Sequence, residues 1–249
     1  MRLVQIANGF TRRVALVEEP HLTCLTGVES VYELASACIR ERESFSRRIQ
    51  DLATGETILY DDVYSGKSKW HLLSPIDVPD APERVLVSGT GLTHLGSAKD
   101  RQAMHVQQAT SAEPLTDSMR MFELGVAGGR PKEGEIGAAP EWFYKGHGDA
   151  LQAPFATLTV PAHAEDGGEE AEIAGIYLVA SDRSPYRLGM CAGNEFSDHR
   201  FERRNYLNLA GSKLRQCSIG PELVVGQSSA RSEAKSASSE AAFHSGRRR

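Results

Sequence analysis

Residues 165–177 read EDGGEEAEIAGIY, a dense acidic stretch that runs straight into a β-branched, apolar one. Residues two apart in a strand share a face. Glu170 and Glu172 therefore point the same way and lead into Ala174, Ile176 and Leu178, while Ala171, Ile173, Gly175 and Tyr177 take the opposite face. With apolar residues on both faces, the strand is expected to be covered on both sides. A buried, unpaired carboxylate is costly and would sooner take up a proton, so the pair implies a cation, a basic partner or a wet cavity. Taken alone, a Glu-x-Glu is more often a strand that has not yet left solvent.

The run PYRLGMCAGNEFSDH supplies a third acid, Glu195, just before a helix expected to be capped by Ser197. An antiparallel pair turning through SDRSP brings Glu195 back to the start of the Glu170 strand. Three carboxylates and waters form the hard oxygen octahedron that Mg²⁺ prefers, with Mn²⁺ or Ca²⁺ as alternatives. The competing reading leaves Glu195 beside a helix N-terminus, where the dipole favours negative charge.

The rest of the chain divides by pattern. RLVQIA and RRVALVE flank Asn8-Gly9, a strong hairpin signal. Ser30 can cap a packing helix in which Val31, Leu34, Ala35, Cys38 and Ile39 share a face. Residues 1–73 thus form a small α/β domain. From Ser74 to Gly226 prolines enforce extended backbone and short strands alternate with glycine turns, among them RVLVSG, FATLTVP, EIAGIYLVA and YRLGMCAG, with one clear helix after Ser197. The expected class is α+β, mostly β. Residues 227–249, rich in Ser, Ala and Arg, cannot bury a core and read as a disordered tail. A net charge of −5 gives no global attraction for nucleic acid or anionic lipid. The sequence has no apolar signal core and no apolar run long enough to span a membrane, which points to the cytoplasm. Cys24, Cys38, Cys191 and Cys217 are widely separated and read as reduced thiols.

PEWFYKG, EDGGEEAEIAGIY, GMCAGNEFSDH and LAGSKLRQCSIGPEL, in that order and spacing, resemble the fumarylacetoacetate hydrolase superfamily. They look most like its sugar-acid branch, related to 2-keto-3-deoxy-arabonate dehydratases. The resemblance covers residues 74–225 and implies a mixed β-roll behind the small N-terminal domain. It implies Glu170, Glu172 and Glu195 as Mg²⁺ ligands, with Glu replacing the usual Asp at the third position. The implied reaction is a dehydration of a 2-keto-3-deoxy sugar acid, in which the metal stabilises an enolate formed by loss of a C3 proton before the C4 hydroxyl leaves. Hydrolase members instead activate water with a His and a Glu three residues later. Here His94 takes the first place but Ser97 the second, so the pair is broken and the reading tilts towards dehydration. A loop histidine bonded to backbone is the plainer account of His94. Lys213 falls near the family's active-site lysine, displaced from its register by two residues, and is assigned to the chemistry; Lys145, in FYKG, matches the family's Phe-x-Lys strand and is assigned to the substrate. GHGD, at 146–149, reads as a turn without a catalytic role. Family members continue past CSIGPEL with further strands, so the change of character near Gln227 implies a roll incomplete at its C-terminal side, by truncation or frameshift. A homodimer could cover the exposed surface. Two alternatives follow: a hydrolase or decarboxylase of an acylpyruvate-like 2-keto acid, and a catalytically inactive chain.

Overall fold

The computed structural model describes residues 1–91, 117–129 and 131–226; His94 and the expected tail at 227–249 lie outside them. Strands β1 (Arg2–Asn8) and β2 (Thr11–Glu18) alternate apolar side chains between two faces. Leu3, Val14 and Leu16 enter one core cluster, and Val4, Ile6, Ala15 and Val17 enter another. Asn8 pairs with Thr11, and Gly9 takes the first central position of the turn at φ +59°. A side chain rarely tolerates that conformation. β3 (His21–Cys24) and β4 (Thr57–Leu59) continue the antiparallel sheet.

Helix α1 (Val31–Glu41) starts at Ser30, whose Oγ accepts from Glu33 N at 3.4 Å, and buries Val31, Leu34, Ala35 and Cys38. α2 (Phe45–Leu52) was not expected. Ser44 caps it, and Phe45 and Ile49, one turn apart, reach the same core. α3 (Tyr60–Tyr64) and β5 (His71–Leu72) close the first half. Fully buried Gln5 ties these pieces together: Nε2 donates to Ser74 O at 2.7 Å and to Asp77 Oδ1 at 2.8 Å, and Oε1 accepts from Val31 N at 2.8 Å. These bonds leave little of the buried amide unsatisfied.

Beyond residue 74, β6 (Leu86–Gly89) pairs with β7 (Phe143–His147), and helix α4 (Asp117–Gly128) lies between them in sequence. There follow β8 (Leu151–Gln152), β9 (Ala171–Val179), β10 (Pro185–Asn194), α5 (His199–Arg204), α6 (Leu209–Lys213), β11 (Cys217–Ile219) and β12 (Leu223–Val225). The main sheet runs β4-β3-β2-β1-β12-β10-β11-β8, with β9 also on β10 and β5 on β1. The β8–β11 pair is parallel and makes the sheet mixed. β1 pairs with β12, and Leu223 and Val225 pack into the cluster that α1 and α2 cover.

Two expectations fail. FATLTVP is not a strand: Phe155 sits at φ +68°, outside the extended region, and residues 156–160 carry no strand ladder. Nor is β9 covered on both sides. Ile176 and Leu178 are buried, but Ile173 is 77% and Val179 66% exposed. The four cysteines are free and buried. Among the described residues no helix is long and apolar enough to cross a membrane.

Candidate metal centre

The β9–β10 hairpin assembles the acidic site. Its turn closes with Ala180 N donating to Ser184 O at 3.0 Å, and its register sets Glu172 opposite Gly193 and Ala171 opposite Asn194. Past the paired ends, Glu195 N donates to Glu170 O at 2.9 Å, and Gly168 and Ser197 exchange two backbone bonds of 2.8 Å. Glu170, Glu172 and Glu195 therefore converge, each offering a carboxylate oxygen within 4.8 Å of the others. Glu170 and Glu195 are partly buried and Glu172 is exposed. The donor set is all hard oxygen, spaced to share one small divalent cation, so these residues fit the metal the sequence implied.

Lys213, at the end of α6 and 4% exposed, reaches this cluster from α6. Its Nζ lies 2.6 Å from Glu170 Oε1, 2.6 Å from Glu195 Oε1, 3.3 Å from Glu202 Oε1 and 3.0 Å from Ser197 Oγ. Burial alone would lower its pKa, but Glu195, Glu202 and the bond to Glu170 outweigh that and hold it above the ordinary lysine value. Lys145, on β7 and 3% exposed, donates to Phe196 O and to Lys213 O, both at 2.9 Å. Burial pushes it down to about 8. The structure thus brings both lysines to the acidic cluster, whereas His94 lies outside the described residues.

Other groups were missed from the sequence. His199, the first residue of α5, places Nε2 3.0 Å from Glu170 Oε1. That contact, ahead of an opposing burial effect, raises the imidazole's pKa. Burial would raise the Glu170 carboxyl, but His199 and Lys213 together hold it well below the usual range. Ser197 is not the helix cap. Asp198 is, its Oδ1 accepting from Phe201 N at 3.0 Å, while Oδ2 accepts from Glu165 N at 2.8 Å and pairs with Arg215 at 3.3 Å. Phe196, between these residues and Glu195, stands at φ +50°, a strained conformation for an aromatic residue beside a site. The sequence cue for His199 was its position four residues after Glu195, at the start of a helix.

Glu172, Glu195 and Lys145 line a cleft of about 1580 Å³ whose walls also include Leu86, Ile173 and Tyr177. Cys217 lines it too, but burial raises this thiol to about 11, unsuited to a nucleophile at neutral pH.

No protein-family model matches the sequence, and no curated protein matches it. Solved structures do. A 2-keto-3-deoxy-D-arabinonate dehydratase complexed with magnesium and 2,5-dioxopentanoate superposes with a TM-score of 0.58 at 16% identity, over 91% of this chain and 66% of that one. The apo form of 2-keto-3-deoxy-D-arabinonate dehydratase gives 0.57 at 16% identity, over 91% and 67%. A fumarylacetoacetate hydrolase from psychrophilic Exiguobacterium antarcticum gives 0.51 at 14%, over 90% and 66%. The fold is of the fumarylacetoacetate hydrolase type. This chain spans about two thirds of the length of those structures. Within the fumarylacetoacetate hydrolase-type fold, the acidic cluster occupies the open end of the β9–β10 hairpin, and α6 and β7 bring the two lysines to it.

Proposed function

We propose that the protein is a Mg²⁺-dependent lyase that dehydrates a 2-keto-3-deoxy sugar acid such as 2-keto-3-deoxy-arabonate. One observation carries the reading: three carboxylates lie within 4.8 Å of one another, and two of them, Glu172 and Glu195, line one cleft together with the buried Lys145. Glu170, Glu172 and Glu195 would hold the cation, and Mn²⁺ or Ca²⁺ suits the same oxygens. A divalent ion there supplies Lewis-acid stabilisation of the negative charge that develops on a 2-keto acid when its C3 proton is removed. The superposed dehydratase with magnesium bound supports this choice of ion and substrate class.

The chain's own groups divide the remaining work. Lys145, lowered by burial to about 8 and lining the cleft, binds the substrate carboxylate through the N–H not spent on Phe196 O and Lys213 O. Lys213 is the proton carrier: its amine form would take the C3 proton, and the ammonium so formed, which its carboxylates favour, would return that proton to the departing C4 hydroxyl, which leaves as water. Balance requires that the C3 proton and the C4 hydroxide leave as one water. The unsaturated product then tautomerises to a semialdehyde of the kind bound in the superposed dehydratase.

Incubation with 2-keto-3-deoxy-arabonate and with an acylpyruvate, each with Mg²⁺ and with EDTA, tests this by product analysis. Mg²⁺-dependent loss of one water from the sugar acid is expected. Carbon–carbon cleavage of the acylpyruvate instead would transfer the site to the hydrolase reading, and turnover of neither would favour the inactive chain.

A further inference from the structure

His199 is the one histidine bonded to the acidic cluster among the described residues; it closes the GMCAGNEFSDH motif, but neither that motif nor the proposed chemistry gave it a role. Its place is fixed by three features. Asp198 caps α5, so His199 opens the helix with its ring turned back towards the Gly168–Ser197 bridge. Gly168 leaves room for that ring: a Cβ there would lie 2.3 Å from His199 Nδ1. Nε2 then meets Glu170 Oε1 at 3.0 Å, the oxygen that Lys213 also contacts at 2.6 Å. Two donors on Oε1 leave Oε2 as the oxygen for an ion.

We propose that His199 is a positioning residue for the metal centre: its Nε2–H fixes the orientation of Glu170 so that Oε2 faces Glu172 and Glu195. This rests on reading the three carboxylates as ligands. Bonds of this kind to a ligating carboxylate carry about 10- to 100-fold in metal affinity. A lysine alone cannot do the same, because a mobile ammonium pulls on the carboxylate without setting its plane, whereas two donors from different directions do.

The test is Mn²⁺ binding to the full chain, followed by the electron paramagnetic resonance signal of the free ion. It compares wild type, His199→Ala, His199→Gln and Glu172→Ala, with thermal unfolding of each in EDTA. His199→Ala should weaken Mn²⁺ by about tenfold or more, and His199→Gln, whose amide keeps a donor, should recover most of the loss. Affinity of His199→Ala within about twofold of wild type would overturn the proposal, as would His199→Gln as weak as His199→Ala with unchanged unfolding in EDTA. Should both variants fail to fold, wild type decides by nitrogen-15 NMR: a proton on Nε2 with and without Mg²⁺ supports the role, and a proton on Nδ1 alone overturns it. Absence of Mn²⁺ binding by wild type, or unimpaired binding by Glu172→Ala, would overturn the metal centre itself. Binding that is sensitive to Glu172 but indifferent to His199 removes only the positioning role.

Discussion

Glu170 is the residue on which the site turns, because it accepts from His199 and Lys213 and belongs to the cluster of three carboxylates that could hold a metal ion. Its carboxyl is held below the ordinary range, so its contribution to stability is present above the unfolded value and is lost as pH falls through the lowered folded one. His199 is raised, so its contribution is complete below the unfolded value and is lost as pH rises through the folded one. The metal-free protein should gain most from this contact between about pH 4.5 and about 6.5. Urea unfolding in EDTA should show stability falling above that window, and His199→Gln should flatten the decline. At this scale the sequence was partly legible. Carboxylates at strand ends advertise themselves by pattern, and Lys145 and Lys213 by motif. His199 and Glu202 do not, since their value depends on a helix start that brings residues 4 and 7 after Glu195 round to the cluster.

The elements that hold the site differ in how they are secured. The β9–β10 hairpin is a continuous ladder with one irregularity between Arg187 and Gly189. Alternation and the SDRSP turn made it readable, because strand period and turn chemistry agree. The segment at 155–161 has alternation too, yet the positive φ of Phe155 and a side-chain anchor, Thr159 N to Gln216 Oε1 at 2.9 Å, hold it as a loop. No local pattern reports such a distant anchor. Helix α5 depends on Asp198, which caps it, holds Glu165 N and pairs with Arg215, both side chains being 3% exposed. Arg215 in turn donates to Asp166 O at 2.8 Å. Removing one member of a buried pair leaves an uncompensated charge, so Asp198→Ala should cost about 3–5 kcal/mol in urea unfolding. Metal affinity should fall with it, because the loop at 165–168 and the start of α5 lose their common anchor.

Across the whole molecule, the sheet passes from β1 to β12 and so joins the first α/β segment to the strands beyond residue 74. Leu223 and Val225 share a core cluster with Leu3, Phe45 and Ile49. Unfolding followed by fluorescence of Trp70, in a Trp142→Phe background, should therefore coincide in urea with loss of metal binding at the β9–β10 end. Separate midpoints would mean that the segments on either side of residue 74 unfold independently. The joining of the two segments was not legible in the sequence, since a three-residue strand such as LVV has no signature that names its partner. The same topology divides the cost of chain closure unevenly. The side-chain and backbone contacts of Glu170 span 24 to 43 residues, from Asn194 to Lys213. The clasp between Arg2 and Glu222 spans 220. Because closure entropy grows with loop length and non-local pairing slows folding, the acidic hairpin can take shape early and locally. The central seam of the sheet must wait for nearly the whole chain, so the folding rate will answer to substitutions in β1 and β12 far more than to those in the triad.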